Sequence, residues 1–394
     1  MKITFLIPSL TIGGAEKAVS LLSNELSKLN DVYIVLLKRE IRFSYGGRVY
    51  VIGHQEDKFI GKIKAYMSYY KLLRLLQPDV EISLLTKANT MNAIVPSNGR
   101  KYIWVQNFPT HYYFQNKLAS LQHELKWLTI YKRVDRILAT SKLLAHKLMQ
   151  LFKLEREKVS VLYNPININE IETLKNRPLN DVEENYFGYP TYINVGRLTW
   201  QKGQWHLIRA FKDVSKELRD SKLIIVGGGN MEKFLRSLIT KLDLDNKVIL
   251  YGSTLNPYKL MKRSDVFVFP SIREGFGISL VEALACGLPT MASDCPSGPR
   301  EILAPNTPFI QQPLKEPELA QYGILMPPPD GIVRGHIQPL TNCEKMWAEW
   351  MINFGQDKNL RKHYSNISPL RANDFDVKKI SENLLNIIKN NQKV

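Results

Sequence analysis

TYINVGRLTWQKGQWHLIRAF, residues 191–211, reads as a strand, a polar loop and the start of a helix. TYINVG is a short apolar run that stops at a glycine, and QWHLIRAF restores apolar residues at helical spacing. The same unit recurs downstream, where KLIIVGG (222–228), KVILYG (247–252), VFVFPS (266–271) and PTMAS (289–293) are strand candidates with helical patterns between them. Upstream the series is KITFLIP (2–8), a helix over 14–29, then VYIVLL (32–37), VEISLL (80–85), YIWVQ (102–106), DRILATS (135–141) and VSVLYNPI (159–166). Near-continuous apolar strands alternating with helices mean parallel sheets covered on both faces. Residues 167–190 are polar, follow no clear period and read as a linker.

The expected fold class is therefore α/β, with two facing doubly wound, Rossmann-like domains. The spans are 1–175 for the N-terminal domain and 190–376 for the C-terminal one, with a last helix at about 377–394 expected to pack back on the first. In such sheets ligands bind outside the carboxyl ends of the strands. The functional residues are sought on those loops, and the expected binding zone is an interdomain cleft.

Composition narrows the class. The chain has 394 residues, 44% hydrophobic and 23% charged, which excludes collagen, coiled coil and wholesale disorder. Its three cysteines, Cys286, Cys295 and Cys343, make neither a disulfide framework nor a C-x-x-C zinc pattern, so a reducing, cytoplasmic setting is expected. No apolar run is long enough to span a bilayer, and the N-terminal run, cut by Pro8 and followed by Gly13-Gly14, reads as strand, loop and helix rather than a signal peptide. The net charge of +17 is uneven: residues 1–160 carry 25 Lys and Arg against 12 Asp and Glu, whereas the other 234 carry 29 against 25. A basic half suits nucleic acid, anionic lipid or a phosphorylated substrate.

Three loop regions carry candidate chemistry. Gly13-Gly14 follows the first strand and opens a helix, where free backbone N–H groups and the helix dipole can hold a phosphate. By itself it reads equally as a plain tight turn, since GGAE lacks the G-x-G-x-x-G of a dinucleotide site. Gly227-Gly228-Gly229 is a similar weak signal. Arg197 and Lys202 lie at the carboxyl end of the TYINVG strand, 191–196. They can clamp a diphosphate, one as a planar fork and the other as a point charge, or be two solvated cations. In REGFGISLVEALACGLP (273–289), Glu274 precedes a Gly-Phe-Gly turn and Glu282 lies eight residues on, inside a helix pattern. Carboxylates accept hydrogen bonds from sugar hydroxyls, so one can hold a hexose and the other a ribose. The plainer alternative is a helix-terminal acid and a surface glutamate.

At these residues the chain resembles retaining glycosyltransferases of family 4, which have the two-domain GT-B fold. The matching pieces are GGAE (13–16), VGRL…KG (195–203), IIVGGG (224–229), FVFPS (267–271), EGFGISLVEALACGLP (274–289) with its Glu-x7-Glu, and SGPREI (297–302). The resemblance implies roles. Glu282 would bind the nucleotide ribose. Arg197 and Lys202 would neutralise the donor diphosphate and leaving group. Glu274 and the backbone of Phe276-Gly277 would hold the transferred sugar, with Gly196 and Ile278 also on the donor and Gly13 and Gly14 near its phosphates. It further implies same-face attack with retention and no metal or other cofactor. In one place the chain departs from the family: WVQNFPTHYY (104–113) puts Gln106 and Asn107 where many members carry His-Asn, and the nearest histidine is His111. Gln cannot titrate, so Asn107 and His111 stand as acceptor-side candidates only.

The resemblance implies a nucleotide-sugar donor, UDP before GDP, with hexose and N-acetylhexosamine both open. The acceptor would be a glycan or polyprenol-linked glycan of cell-surface polysaccharide assembly. The basic first half, including KFIGKIKAYMSYYKLLRLLQ (58–77) and residues 111–133, adds an expectation of peripheral contact with an anionic membrane at the inner face of the plasma membrane. Its apolar residues surround the 58–77 helix, which favours a packed domain helix over an interfacial one. Two other readings stand beside the enzyme. One is a catalytically impaired sugar-nucleotide-binding protein, which Gln106 keeps open. The other is a nucleic-acid-binding protein, for which no recognition module is present and no nucleic-acid partner is expected. PPPDG (327–331) and the following VRGHIQPLTN have no assigned role.

Overall fold

Seven parallel strands form the first sheet: β1 (Lys2–Ile7), β2 (Asp31–Leu36), β3 (Arg48–Val51), β4 (Val80–Leu84), β5 (Arg100–Val105), β6 (Arg136–Ala139) and β7 (Val159–Val161). Their order is β3-β2-β1-β4-β5-β6-β7. Direction of travel through the sheet reverses between β1 and β4, the topological switch point of a doubly wound fold. The computed structural model describes residues 1–11, 13–53, 60–107, 127–309, 312 and 314–390.

The second sheet contains β8 (Thr191–Val195), β9 (Lys222–Val226), β10 (Val248–Gly252), β11 (Val266–Phe269), β12 (Thr290–Ser293), β13 (Glu318–Ala320) and β14 (Gly323–Met326). Its order is β10-β9-β8-β11-β12-β14-β13, parallel except for β13, which pairs antiparallel with β14. Here the switch point lies between β8 and β11, which are hydrogen-bonded neighbours.

The chain divides into two units, Met1–Ile166 together with the chain from Phe375 onward, and Asn167–Asp374. In the first unit the helices Gly14–Leu26 and Val377–Lys389 pack together, and Ile380, Leu384 and Ile388 share a core with Ile3, Phe5 and Ile34. Arg100 donates to the Ile388 carbonyl at 2.5 Å, fixing the late helix to β5. Helix Ile60–Leu76 buries Ala65, Tyr69, Leu73 and Leu76, while Ile63, Met67, Tyr70 and Leu75 face out. In the second unit, Trp205, Ile208 and Phe211 of helix Gln204–Glu217 pack with Tyr192, Val268 and Met291 of the sheet.

The region read as a linker is not irregular. Asn167 accepts from the Glu170 N–H and starts helix Ile168–Lys175, and Asn180 forms a capping box with Glu183 for Asp181–Glu184. Two turns with Ile171 as the buried residue leave too short a record for a helical period to show. That first helix packs against helices Tyr258–Arg263 and Ile278–Ala285, so it belongs to the second unit, and the expected boundary at 175 moves back to Ile166. The strand expected over 159–166 stops at Val161. Strands β3, β13 and β14, at three or four residues each, were too short to stand out.

Candidate active site

Two loops leave the carboxyl ends of β8 and β11 on either side of the switch point. The β8 loop turns through a short 3-10 segment, Trp200–Lys202, to Gly203, whose φ of +66° opens helix Gln204–Glu217. The β11 loop runs through Ser271 and Glu274 to Gly277, whose φ of +100° opens helix Ile278–Ala285. Both glycines adopt a left-handed conformation that carries a steric cost for other residues. The loops are stitched together: Ile272 N–H donates to the Gln201 carbonyl at 3.0 Å, and the Gln201 amide donates to the Arg273 carbonyl at 3.0 Å.

That stitching brings Lys202 to Glu274, with Nζ 2.5 Å from Oε1. The Ser271 hydroxyl donates to the same oxygen at 2.7 Å. Glu274 is only 7% exposed, so its charge is sustained by these two donors rather than by water. Its other oxygen, Oε2, accepts no hydrogen bond among the described residues. The Lys202 stem runs beside Gly196, and its ammonium lies 5.1 Å from the centre of the Phe269 ring. A neighbouring cation and a carboxylate with one unused oxygen suit a ligand carrying both phosphate and hydroxyl groups.

Glu282 lies within helix Ile278–Ala285, is buried, and accepts from the Tyr258 hydroxyl at 3.1 Å. Phe276 is buried and Ile278 half-buried at the helix start. Arg197 is exposed and has no ion pair among the described residues.

The Glu274–Gly277 turn is buttressed from behind. Ser297, at φ +95°, donates its hydroxyl to the Gly275 carbonyl. Gly298 packs so closely on the Phe276 carbonyl that a Cβ there would overlap it. A serine held at positive φ is a strained residue, and such residues cluster at functional sites. Burial keeps the nearby Cys295 thiol protonated, pushing its pKa well above the ordinary value, with the Glu274 charge adding to the effect.

In the first unit Gly13 caps helix Gly14–Leu26 in extended conformation, with no side-chain cap. The Glu16 carboxylate folds over it, so a Cβ on Gly13 would meet that group. Gly14 is exposed. Asn107 is exposed just past β5, and Gln106 accepts from the Asn164 amide at 3.0 Å. His111 lies outside the described residues.

The sequence matches two families, "Glycosyltransferase Family 4" over residues 12–170 and "Glycosyl transferases group 1" over 178–321. An uncharacterized glycosyltransferase of Methanocaldococcus jannaschii is 38% identical over 336 residues, 81% of each chain. The chain belongs to glycosyltransferase family 4. A relative of this glycosyltransferase in Campylobacter jejuni is 28% identical over 98% of both chains. It is named N-acetylgalactosamine-N,N'-diacetylbacillosaminyl-diphospho-undecaprenol 4-alpha-N-acetylgalactosaminyltransferase. The solved structure of Anabaena HepE in complex with UDP gives a TM-score of 0.75 at 19% identity, covering 99% of this chain and 100% of that one. The glycosyltransferase thus has the GT-B fold.

Of the residues singled out in its sequence, the structure joins Lys202 directly to Glu274 and puts Gly196 beside them. Glu282 is held by Tyr258 instead. Three supports were missed, namely Ser271, Tyr258 and Ser297. Ser271 and Ser297 lay in motifs already marked, FVFPS and SGPREI, but only the fold shows that their hydroxyls meet the Glu274 loop. Tyr258 had no signal, because it reaches Glu282 from another helix.

Proposed function

We propose that this glycosyltransferase moves a hexose or N-acetylhexosamine from a UDP-sugar, with retention, to a glycan linked to a polyprenol diphosphate. It would act in cell-surface polysaccharide assembly at the inner face of the plasma membrane. The observation that carries the reading is the Lys202–Glu274–Ser271 constellation at the switch point of the second sheet. The relatives' names support the acceptor class: the Campylobacter jejuni protein is named for a diphospho-undecaprenol acceptor, and an Escherichia coli relative, 25% identical over 60% of this chain, for UDP-Gal and a diphosphoundecaprenol acceptor.

In the reaction the bond from the anomeric carbon to the diphosphate breaks as the acceptor hydroxyl oxygen bonds to that carbon from the same face, its proton passing to the departing diphosphate oxygen. Negative charge grows on the departing UDP, and Lys202 and Arg197 answer it. Preorganised cations aimed at developing charge are the strongest lever such a site has. Lys202 comes to that task already neutralised by Glu274, so donor binding divides the ammonium between carboxylate and phosphate. Glu274 Oε2 takes sugar hydroxyls, Glu282 takes the ribose, and the Phe276-Gly277 backbone with Ile278 lines the sugar. Gly13 and Gly14, at the start of helix Gly14–Leu26, take a donor phosphate through backbone N–H groups. No metal enters this scheme. The basic first half, with Ile63, Met67 and Tyr70 on the outer face of helix Ile60–Leu76, would meet anionic lipid.

Calorimetry of UDP, GDP and NAD against the purified protein in chelator, followed by a UDP-sugar panel, tests this. UDP binding that is weakened about tenfold or more in both Arg197→Ala and Glu282→Ala is expected. Preference for NAD, or no nucleoside diphosphate binding, would overturn the reading.

A further inference from the structure

The segment after β14, PPPDGIVRGHIQPL (327–340), ends in nothing the donor site uses, yet it is built with unusual care. The Trp347 indole donates to the Pro327 carbonyl at 3.1 Å, Trp200 to Gly331 at 2.7 Å, and Trp205 to Ile332 at 3.1 Å. The Arg209 guanidinium, 1% exposed, donates to the carbonyls of Gly335, Gln338 and Pro339. Its charge is met by Glu344, also 1% exposed, which closes the capping box of the following helix with Thr341.

Among the side chains this machinery displays, beside Asp330, His336 and Gln338, are three large aliphatic ones. Ile332, Val333 and Ile337 are 57%, 46% and 83% exposed, and Trp200, on the same loop as Lys202, is 39% exposed beside Gly331. A buried ion pair and three indole N–H groups spent on holding aliphatic side chains in water make no sense as a stability device. At the rim Arg273 stacks on Trp200 at 4.9 Å, and Asp330, the segment's one acid, is neutralised by Arg334.

We infer that this loop is a membrane wedge, in which Ile332, Val333 and Ile337 insert among the acyl chains of an anionic lipid surface while Trp200, Arg273 and Arg334 sit at headgroup level. The occupant is lipid because no acid is left unpaired on the segment, because aliphatic tips flanked by Trp and Arg match the layering of a bilayer interface, and because the proposed acceptor is itself lipid-linked. The last point rests on the proposed function; the first two do not. The loop leaves the same strand ends as the donor site, so docking here would bring the donor pocket close to the plane where a polyprenol diphosphate lies.

The test uses the whole protein. Ile337→Cys, labelled with an environment-sensitive dye, is mixed with phosphatidylglycerol-containing vesicles and with pure phosphatidylcholine vesicles. A blue shift quenched by nitroxide lipid, stronger with the anionic vesicles, is expected. Partition of the triple variant I332S/V333S/I337S onto anionic vesicles should fall at least tenfold, persisting at high salt where purely electrostatic binding fades. No dye shift, unchanged partition of the triple variant, or a concentration-dependent dimer that the triple variant abolishes would overturn the inference. UDP titration of the same proteins separates the two readings: retained UDP affinity with lost lipid binding isolates the wedge, whereas wild-type protein that wets vesicles but ignores UDP indicts the donor assignment alone.

Discussion

Lys202 Nζ lies 2.5 Å from Glu274 Oε1, although 72 residues separate the two in sequence. The pair exists because β8 and β11 are neighbours and each delivers its loop at the same end of the sheet. A lysine already bonded to a carboxylate is held in place before any phosphate arrives, so little reorganisation is left for the reacting state.

Glu274→Gln keeps the shape and the Ser271 hydrogen bond but removes the charge. Turnover is expected to fall by roughly a hundredfold or more, the scale of losing one preorganised group, with UDP affinity nearly kept. Lys202→Ala should lower both UDP affinity and turnover. Unchanged transfer by Glu274→Gln and Glu274→Ala would falsify the site assignment. Stopped assays with radiolabelled donor, alongside calorimetry, read both quantities.

Glu282 and Tyr258 give a different signature. A hydrogen bond to a charged group contributes on the order of 1.5–3 kcal/mol, so Glu282→Ala should weaken UDP about ten- to a hundredfold. Tyr258→Phe removes one partner that orients the carboxylate, and a smaller loss is expected. The ordering Glu282→Ala beyond Tyr258→Phe, both acting on KM for donor more than on kcat, is the outcome to check. A Tyr258→Phe effect on kcat alone would place Tyr258 elsewhere in the chemistry.

Gly298 offers a test of the buttress. Alanine there drives its Cβ into the Phe276 carbonyl, backbone that cannot step aside without moving the Glu274 turn. Overpacking of this kind costs about 1–3 kcal/mol. Gly298→Ala should lower the melting temperature by several degrees and weaken UDP binding. Gly228→Ala, whose nearest neighbour is the Ser253 side chain, should do much less.

The pH dependence of stability has two opposed contributors. Burial alone would raise the Glu344 carboxyl, but hydrogen bonds from His206 and Arg209 hold it down at about 2. That stabilisation is full above the unfolded carboxyl range near 4.5 and is lost as pH falls towards 2. Burial pushes the Glu81 carboxyl the other way, up to about 7, against the pull of the Ser97 hydroxyl and Lys101. A raised carboxyl favours the fold below about 4.5, and that contribution disappears as pH climbs through 7. Glu81→Gln should therefore gain stability on wild type at pH 8.5 and show little gain at pH 4.5. Chemical denaturation at the two pH values measures it, and an equal effect at both would mean that folding does not shift the Glu81 carboxyl.

The doubly wound architecture was legible because buried parallel strands write themselves as continuous apolar runs, and IIVGG, FVFPS and TYINVG each stop where a loop begins. Glu274 and Lys202 were legible as members of motifs. Their bond was not, since sequence spacing says nothing about which strands become neighbours across a switch point. Helix Ile168–Lys175 escaped because one buried isoleucine leaves no period to detect. The loop after β14 escaped because its anchors belong to other elements: Arg209, Trp205 and Trp347 look like ordinary members of amphipathic helices, and Trp200 like a loop residue.

Helix Val377–Lys389 completes the core of a unit whose other residues end at Ile166. On the ribosome, the strands of the first unit emerge early and then wait for more than two hundred residues before Ile380, Leu384 and Ile388 arrive to cover helix Gly14–Leu26. The part made first is thus the part finished last, and its apolar face must be shielded meanwhile. A chain cut at Asp374 should therefore lose its N-terminal half to proteases and chaperones well before its C-terminal half, even though the cut removes none of the donor-site residues.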